Sequence, residues 1–175
     1  NESVPETLPI LPLRNMVLFP GVVIPITAGR DRSIKLLQDA NKKGIAIGVV
    51  AQNNEEVEEP SFEDLHKTGV VAKILKTFKM PDGNTTVIIQ GKKRFEMGEI
   101  VTEQPFITAV AKDTPDVRPI KNDPEFKAII EKIKELALEI IKESPNIPTE
   151  ASFAIKNIES DSFLVNFVSS NMNLK

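Results

Sequence analysis

The sequence predicts an α+β fold: a mixed, barrel-like β-lobe with one inserted helix over residues 1–115, then a smaller α-helical lobe over residues 116–175. Three observations predict it. Before Pro115 the apolar residues come in short, β-branched runs separated by turn signals. After it they recur at steps of three and four. A single helical pattern, residues 30–43, interrupts the first half. Strands outnumber helices there, which favours a closed or half-closed sheet over a βαβ arrangement.

The elements follow in order. Residues 8–13 read Leu-Pro-Ile-Leu-Pro-Leu. Two prolines without N–H groups suggest an edge strand or an extended lead-in. Residues 16–19 and 22–28 are apolar, with Pro20-Gly21 as the turn between them, and Pro25 marks the second run as an edge or a bulge. In the helix at 30–43, Ile34, Leu37 and Asn41 share a face with Leu36 and Ala40 beside it, and Gly44 is the expected C-terminal cap. That leaves Arg30, Asp31, Arg32, Lys35 and Asp39 for solvent. Residues 45–51 form a wholly apolar, central strand, and residues 53–60 an acidic surface loop. In the strand at 70–80, Val70, Ala72, Ile74, Phe78 and Met80 share one parity, and Pro81-Asp82-Gly83-Asn84 is a turn. Residues 85–90 return as the second arm, and 94–101 and 106–112 are two further strands.

In the second half, Asp123-Pro124 opens a helix, with Asp as cap and Pro at the first position. Its apolar stripe is Phe126, Ile129, Ile130, Ile133, Leu136, Ala137, Ile140 and Ile141, with Lys127 and Glu131 spaced as an ion pair on the other face. Ser144-Pro145 ends it. A short helix from Thr149 to Lys156 follows, then one from Ser160 that buries Phe163, Leu164, Phe167 and Val168.

Composition narrows the function. A chain of 175 residues folds without staples, burying roughly 70% of its unfolded surface. With no cysteine, disulfides, thiolate metal sites and cysteine nucleophiles are excluded. A net charge of -3, with no Trp or Tyr, argues against a dedicated nucleic-acid binder. No apolar run approaches the length of a membrane span. The lysine-rich, cysteine-free chain points to bacterial cytoplasm, with the mitochondrial matrix as the alternative compartment.

No catalytic motif is present. A phosphate-binding loop needs G-x-x-x-x-G-K-[ST], and Gly91-Lys92-Lys93 lacks both the upstream glycine and the following hydroxyl. Neither H-E-x-x-H nor G-x-S-x-G occurs. His66, the one histidine, sits in a polar turn and reads as an ordinary surface residue. Glu55, Glu56, Glu58 and Glu59 lack the spacing and central glycine of a calcium loop. Lys73, Lys76, Lys79, Lys92, Lys93 and Arg94 read as a solvated strand face.

The opening residues carry a family resemblance. Leu8-Pro9-Ile10-Leu11-Pro12-Leu13-Arg14, Val17-Leu18-Phe19-Pro20-Gly21 and Ile24-Pro25-Ile26 resemble the start of Lon-type ATP-dependent proteases. The likeness continues through Gly29-Arg30, Ser33-Ile34, Val49-Val50-Ala51-Gln52, Gly69-Val70-Val71-Ala72-Lys73-Ile74 and Pro81-Asp82-Gly83. Gly91 and Arg94 resemble the family's next turn, and residues 170–175 the approach to the end of its helical lobe.

The resemblance implies a PUA-like β-lobe and a helical lobe that capture unfolded, damaged or degron-bearing proteins and support a hexamer, with adaptor proteins as further partners. It implies no membrane, nucleic acid or cofactor for this segment, and no catalytic residue. ATP, magnesium and the Ser-Lys peptidase chemistry belong to modules further along the family's chain. Related domains outside proteases leave open a stand-alone module binding RNA or a small ligand, or a purely structural domain.

Two regions suit capture of non-native chains. One is the hairpin tip, with Phe78, Met80 and Pro81 as an adaptable apolar contact. The other is the mixed-charge strip Arg30, Asp31, Arg32 and Lys35 at the start of the first helix.

Overall fold

The computed structural model describes residues 3–120, 122–148 and 150–172. The expected helix start at Thr149 and the tail residues 173–175 lie outside these. The chain divides into two compact units, Asn1–Pro115 and Asp116–Lys175.

The first unit contains six strands and one α-helix: β1 (Thr7–Leu13), β2 (Val23–Ala28), α1 (Asp31–Lys43), β3 (Ile47–Ala51), β4 (Thr68–Lys79), β5 (Thr85–Thr102) and β6 (Thr108–Asp113), with a short 3-10 turn at Phe62–Asp64. The strand order is β2-β5-β4-β3-β1-β6, and β6 also pairs with β5. Strands β5, β4, β3, β1 and β6 therefore form a ring-like circuit, with β2 added outside it on β5.

Both faces of the sheet are buried. Leu11, Leu13, Ile47, Val49, Val70, Ala72, Val87 and Ile89 pack with Leu36, Leu37 and Ala40 of α1. Alternate residues on the same strands, Leu8, Ile10, Val50, Val71, Phe95 and Met97, form a second cluster on the opposite face. This two-sided burial explains the unbroken apolar runs of β1 and β3.

Four expectations about the β unit change. β1 is interior, not an edge. It pairs with β6 only over Thr7–Pro9 and with β3 only over Ile10–Leu13. Each half thus has one side without a ladder, which is where a proline's missing donor costs nothing.

Residues 14–22 form no strand.

β5 is one 18-residue strand rather than two, and Gly91 and Arg94 lie within it, not at a turn. Gly91 is there for close approach. Its N–H donates to Val22 O at 2.9 Å, and a Cβ would stand 2.4 Å from Phe19 O.

Finally, β4 carries an irregularity between Ile74 and Lys76. The extra residue, Leu75, inverts the alternation. Thr77 turns toward the buried side, and Phe78 leaves the face shared by Val70, Ala72 and Ile74.

On α1, Ser33, Leu36, Leu37 and Ala40 are buried, whereas Asn41 is exposed. Gly44 caps the helix as expected, its N–H reaching Ala40 O and Asn41 O.

The second unit holds α2 (Pro124–Glu143), α3 (Glu150–Asn157) and α4 (Asp161–Asn171). Asp123 and Ser160 cap α2 and α4, accepting from the Glu125 and Phe163 amides. Ile130, Ile155 and Leu164 form the buried centre, with Phe126, Ile133, Ala137, Ile141, Phe167 and Val168 around it. Ile129, Leu136 and Ile140, expected on the same stripe, are exposed. Eight apolar positions wrap too wide an arc for one packed face. Glu131 pairs with Lys134 at 3.6 Å, and Lys127 donates to Asn122, so the expected Lys127–Glu131 pair is not the one formed.

Candidate functional site: the hairpin tip, the start of the first helix and an open strand edge

The β4–β5 hairpin ends in a firmly built turn. The Met80 N–H donates to Asn84 O at 2.9 Å, and the Gly83 N–H to Met80 O at 3.1 Å. Asp82 accepts from the Asn84 amide at 3.0 Å and from its side-chain Nδ2 at 2.9 Å. Gly83 has φ of +88°, which a larger residue would adopt only under strain. This rigid turn leaves the apolar side chains near it uncovered: Leu75 and Phe78 are each 45% exposed and Met80 43%. Pro81 is exposed as well. Phe78 joins them because of the bulge at Leu75, which alternation alone does not reveal.

The two regions singled out in the sequence meet. β2 pairs with β5 up to Ala28 opposite Thr85, and a Cβ on Gly29 would lie 3.0 Å from the Asn84 carbonyl oxygen of the side chain. The tip therefore adjoins the chain as it enters α1.

The charged strip itself splits. Asp31 and Lys35 are exposed, and Arg32 lies 3.7 Å from Glu59. Arg30 is half-buried rather than left to solvent. Its guanidinium donates to Gln52 Oε1 at 3.0 Å, Glu58 O at 2.9 Å and Pro12 O at 3.4 Å. Gln52, buried, passes the contact on to Asn54 O and Val57 O, and Arg14 also donates to Val57 O. Burial, and then the neighbouring Arg14, lower the Arg30 pKa, while Glu59 opposes them. A guanidinium stays charged through such a shift. Arg30 thus clamps the acidic loop at 53–60 to β1 and the start of α1. Glutamates 58 and 59 were expected merely to be solvated, and no local signal names their loop as the partner of Arg30.

A third feature escaped the sequence reading. A cleft of about 600 Å³ lies between residues 25–29 of β2 and its exit and residues 11–14 of β1, with Met16, Ser33 and Glu58 at its borders. β2 ends the sheet, so among the described residues its outer side carries no strand. A second cleft, about 420 Å³, is lined in part by Lys73, Lys92 and Lys93. Lys93 is paired with Asp113 at 2.7 Å, which reduces the basic character of that surface. Among the described residues, no group of three or more His, Asp and Glu side chains could hold a metal ion, and no helix is long and apolar enough to cross a membrane.

The β unit thus combines a sheet-edge cleft with an uncovered hairpin tip. Residues 7–175 match the family described as the ATP-dependent protease La (LON) substrate-binding domain, and the chain belongs to that family. It is 68% identical over 174 residues to a Lon protease of Flavobacterium johnsoniae, covering 99% of this chain and 21% of that protein. A Lon protease of Cytophaga hutchinsonii is 53% identical over 172 residues, covering 98% of this chain and 21% of that protein. The chain thus spans about a fifth of these relatives. The N-terminal domain of Mycobacterium avium complex Lon protease has the same fold, with a TM-score of 0.77 at 18% identity, covering 97% of this chain and 84% of that one. A Lon N-terminal domain protein from Xanthomonas campestris superposes less closely, with a TM-score of 0.55 at 16% identity, covering 95% and 98%.

Proposed function

We propose that this chain captures unfolded, damaged or degron-bearing proteins and delivers them to the ATPase and Ser-Lys peptidase modules of a bacterial, cytoplasmic Lon-type protease. In that protein, ATP and magnesium drive degradation, and the chain supports a hexamer and receives adaptor proteins. The observation that carries the reading is the exposed apolar surface of the hairpin, with Phe78 and Met80 beside the turn and Leu75 further along β4 left uncovered. Non-native chains expose apolar side chains, and a flexible, polarisable Met meets varied partners. Asp31, Arg32 and Lys35, next to the tip, add polar contacts, whereas Arg30 acts by holding that neighbourhood in place.

An amide-shift titration with one protein in unfolded and folded forms tests this reading. Shifts at Phe78, Met80 and their neighbours are expected with the unfolded form alone. Met80→Ser is expected to weaken that binding several-fold with an unchanged melting temperature, since Met80 is 43% exposed. An unchanged affinity would remove the tip from the site. Silence with both forms would leave an assembly role, for which the exposed Ile129, Leu136 and Ile140 stripe is the supporting observation.

A further inference from the structure

We propose that the outer edge of β2 receives an extended segment of a non-native client as an added strand, seated in the cleft between β2 and β1. The proposal rests on the capture reading and names where the client backbone goes. It starts from hydrogen-bond phase. The Gly91 N–H donates to Val22 O, while the Val22 N–H turns back to Phe19 O, so the carbonyl of residue 22 points at β5. Antiparallel pairing alternates, so Ile24, Ile26 and Ala28 also point at β5, while Val23, Pro25 and Thr27 point away. The outer edge therefore offers three carbonyls, from Val23, Pro25 and Thr27, but only two N–H donors, from Val23 and Thr27.

The cleft has a second wall, and there the strand edge is closed. The Gln52 N–H donates to Leu13 O, and the Ile10 N–H to Ile107 O, so Pro12 is the residue of β1 that faces the cleft. It has no N–H, and its carbonyl accepts from Arg30 at 3.4 Å. One edge is sealed by Pro12 and Arg30 and the other is open, so the occupant has one side to pair with. The accessible apolar lining, from Pro25, Ile26 and half-exposed Met16, suits the side chains of such a strand.

Pro25 decides what kind of strand binds. A rigid edge from a folded protein, or from a second copy, presents its donors and acceptors in unbroken register and meets no donor at Pro25. Proline at that position blunts regular edge-to-edge pairing. A non-native segment has no fixed register. It can pair at Val23 and at Thr27 and turn its central carbonyl to water. Two anchor points give weak, sequence-tolerant binding.

The test is equilibrium binding of this chain to a reduced and alkylated globular protein, with the native form of the same protein as control. Thr27→Pro removes an outward donor. Its binding is expected to be about fivefold weaker, the ratio for one net hydrogen bond. Thr27→Ala loses the hydroxyl pairing with Thr86 at 2.9 Å but keeps the N–H, and is expected to bind like the unchanged chain. Pro25→Val supplies the missing donor and is expected to tighten binding about fivefold. This gain cannot arise from a variant that has merely unfolded. Equal affinities in all three variants, with the unchanged chain still binding, would overturn the edge and leave capture to the hairpin tip. Self-association of Pro25→Val without tighter client binding would assign the edge to a second copy and overturn the proposal. If the unchanged chain ignores the alkylated protein, the edge and the capture reading fall together.

Discussion

In the β unit, two clusters of buried apolar side chains lie on opposite faces of one sheet, whereas among the described residues of the second unit the only apolar side chains buried to that degree are Ile130, Ile155 and Leu164. The difference follows from geometry. A sheet that pairs with itself in a circuit and carries a helix on one face has two interiors, so strands such as β3 are apolar at nearly every position. Three helices enclose one seam, and any apolar residue beyond about a 100° arc of a helix is left outside. Ile129, Leu136, Ile140 and Phe153, between 45% and 72% exposed, are that surplus.

The largest expected effect sets the two units against each other. Phe95 is 0% exposed at the centre of one β-unit cluster, and Phe95→Ala is expected to cost about 3–5 kcal/mol. Leu164 is equally buried, but among fewer neighbours that can collapse inward, and Leu164→Ala is expected to cost about 2–3 kcal/mol. Amide exchange read residue by residue checks the comparison. The first substitution should speed exchange throughout β1–β6, the second only in α2–α4. Loss of protection across both units from either substitution would mean that they unfold as one.

A smaller effect is expected where the β unit is tightest. Gly91→Ala places a methyl 2.4 Å from the Phe19 carbonyl, a backbone atom that cannot swing away, and is expected to cost about 1–3 kcal/mol in a urea titration. Arg30→Lys keeps the charge but not the fork that reaches Gln52, Glu58 and Pro12. It is expected to cost about 1–2 kcal/mol and to open residues 53–60 to limited proteolysis. If that loop stays as resistant as before, the Gln52 and Arg14 contacts hold it without Arg30.

These positions also show what the sequence made legible. Element types came from periodicity, turn residues and caps, which are local: Asp123-Pro124, Ser160 and Gly44 stand where the helices begin or end. The hairpin turn at residues 81–84 was equally plain, and it presents Met80 as expected. What stayed hidden depends on partners distant in the chain. Pro9 and Pro12 read as edge signals because their neighbours β6 and β3, which each take one half of β1, lie more than 30 residues away. Gly91 read as a turn because the reason for a missing side chain, Phe19 O, is 72 residues distant. The bulge at Leu75 leaves no composition signal, so the face of Phe78 could not be read from alternation. The β2 edge needs strand order and hydrogen-bond phase, neither of which a sequence prints.

The smallest effect probes a local feature for which pH is the lever. Asp64 closes the short turn after the acidic loop, its Oδ2 accepting from the Ser61 amide at 2.8 Å and the Ser61 hydroxyl at 2.7 Å. The Ser61 hydroxyl and then its amide hold the Asp64 pKa below the ordinary carboxylate value. A depressed pKa in the folded state means that the carboxylate's contribution is present above the unfolded pKa, about 3.9, and is lost as pH falls through the lower folded value. Asp64→Asn removes that contribution at every pH. The melting temperatures of the two proteins are therefore expected to differ slightly at neutral pH and to converge in acid, as pH falls through the lowered folded value. Asp64 lies at the surface and is solvent-accessible, so the gap should be small beside those of Phe95→Ala and Gly91→Ala. Parallel melting curves down to the same acidity would mean that the Ser61–Asp64 bonds do not persist in solution, and that the loop at 53–60 is fixed through its Gln52, Arg14 and Arg30 contacts.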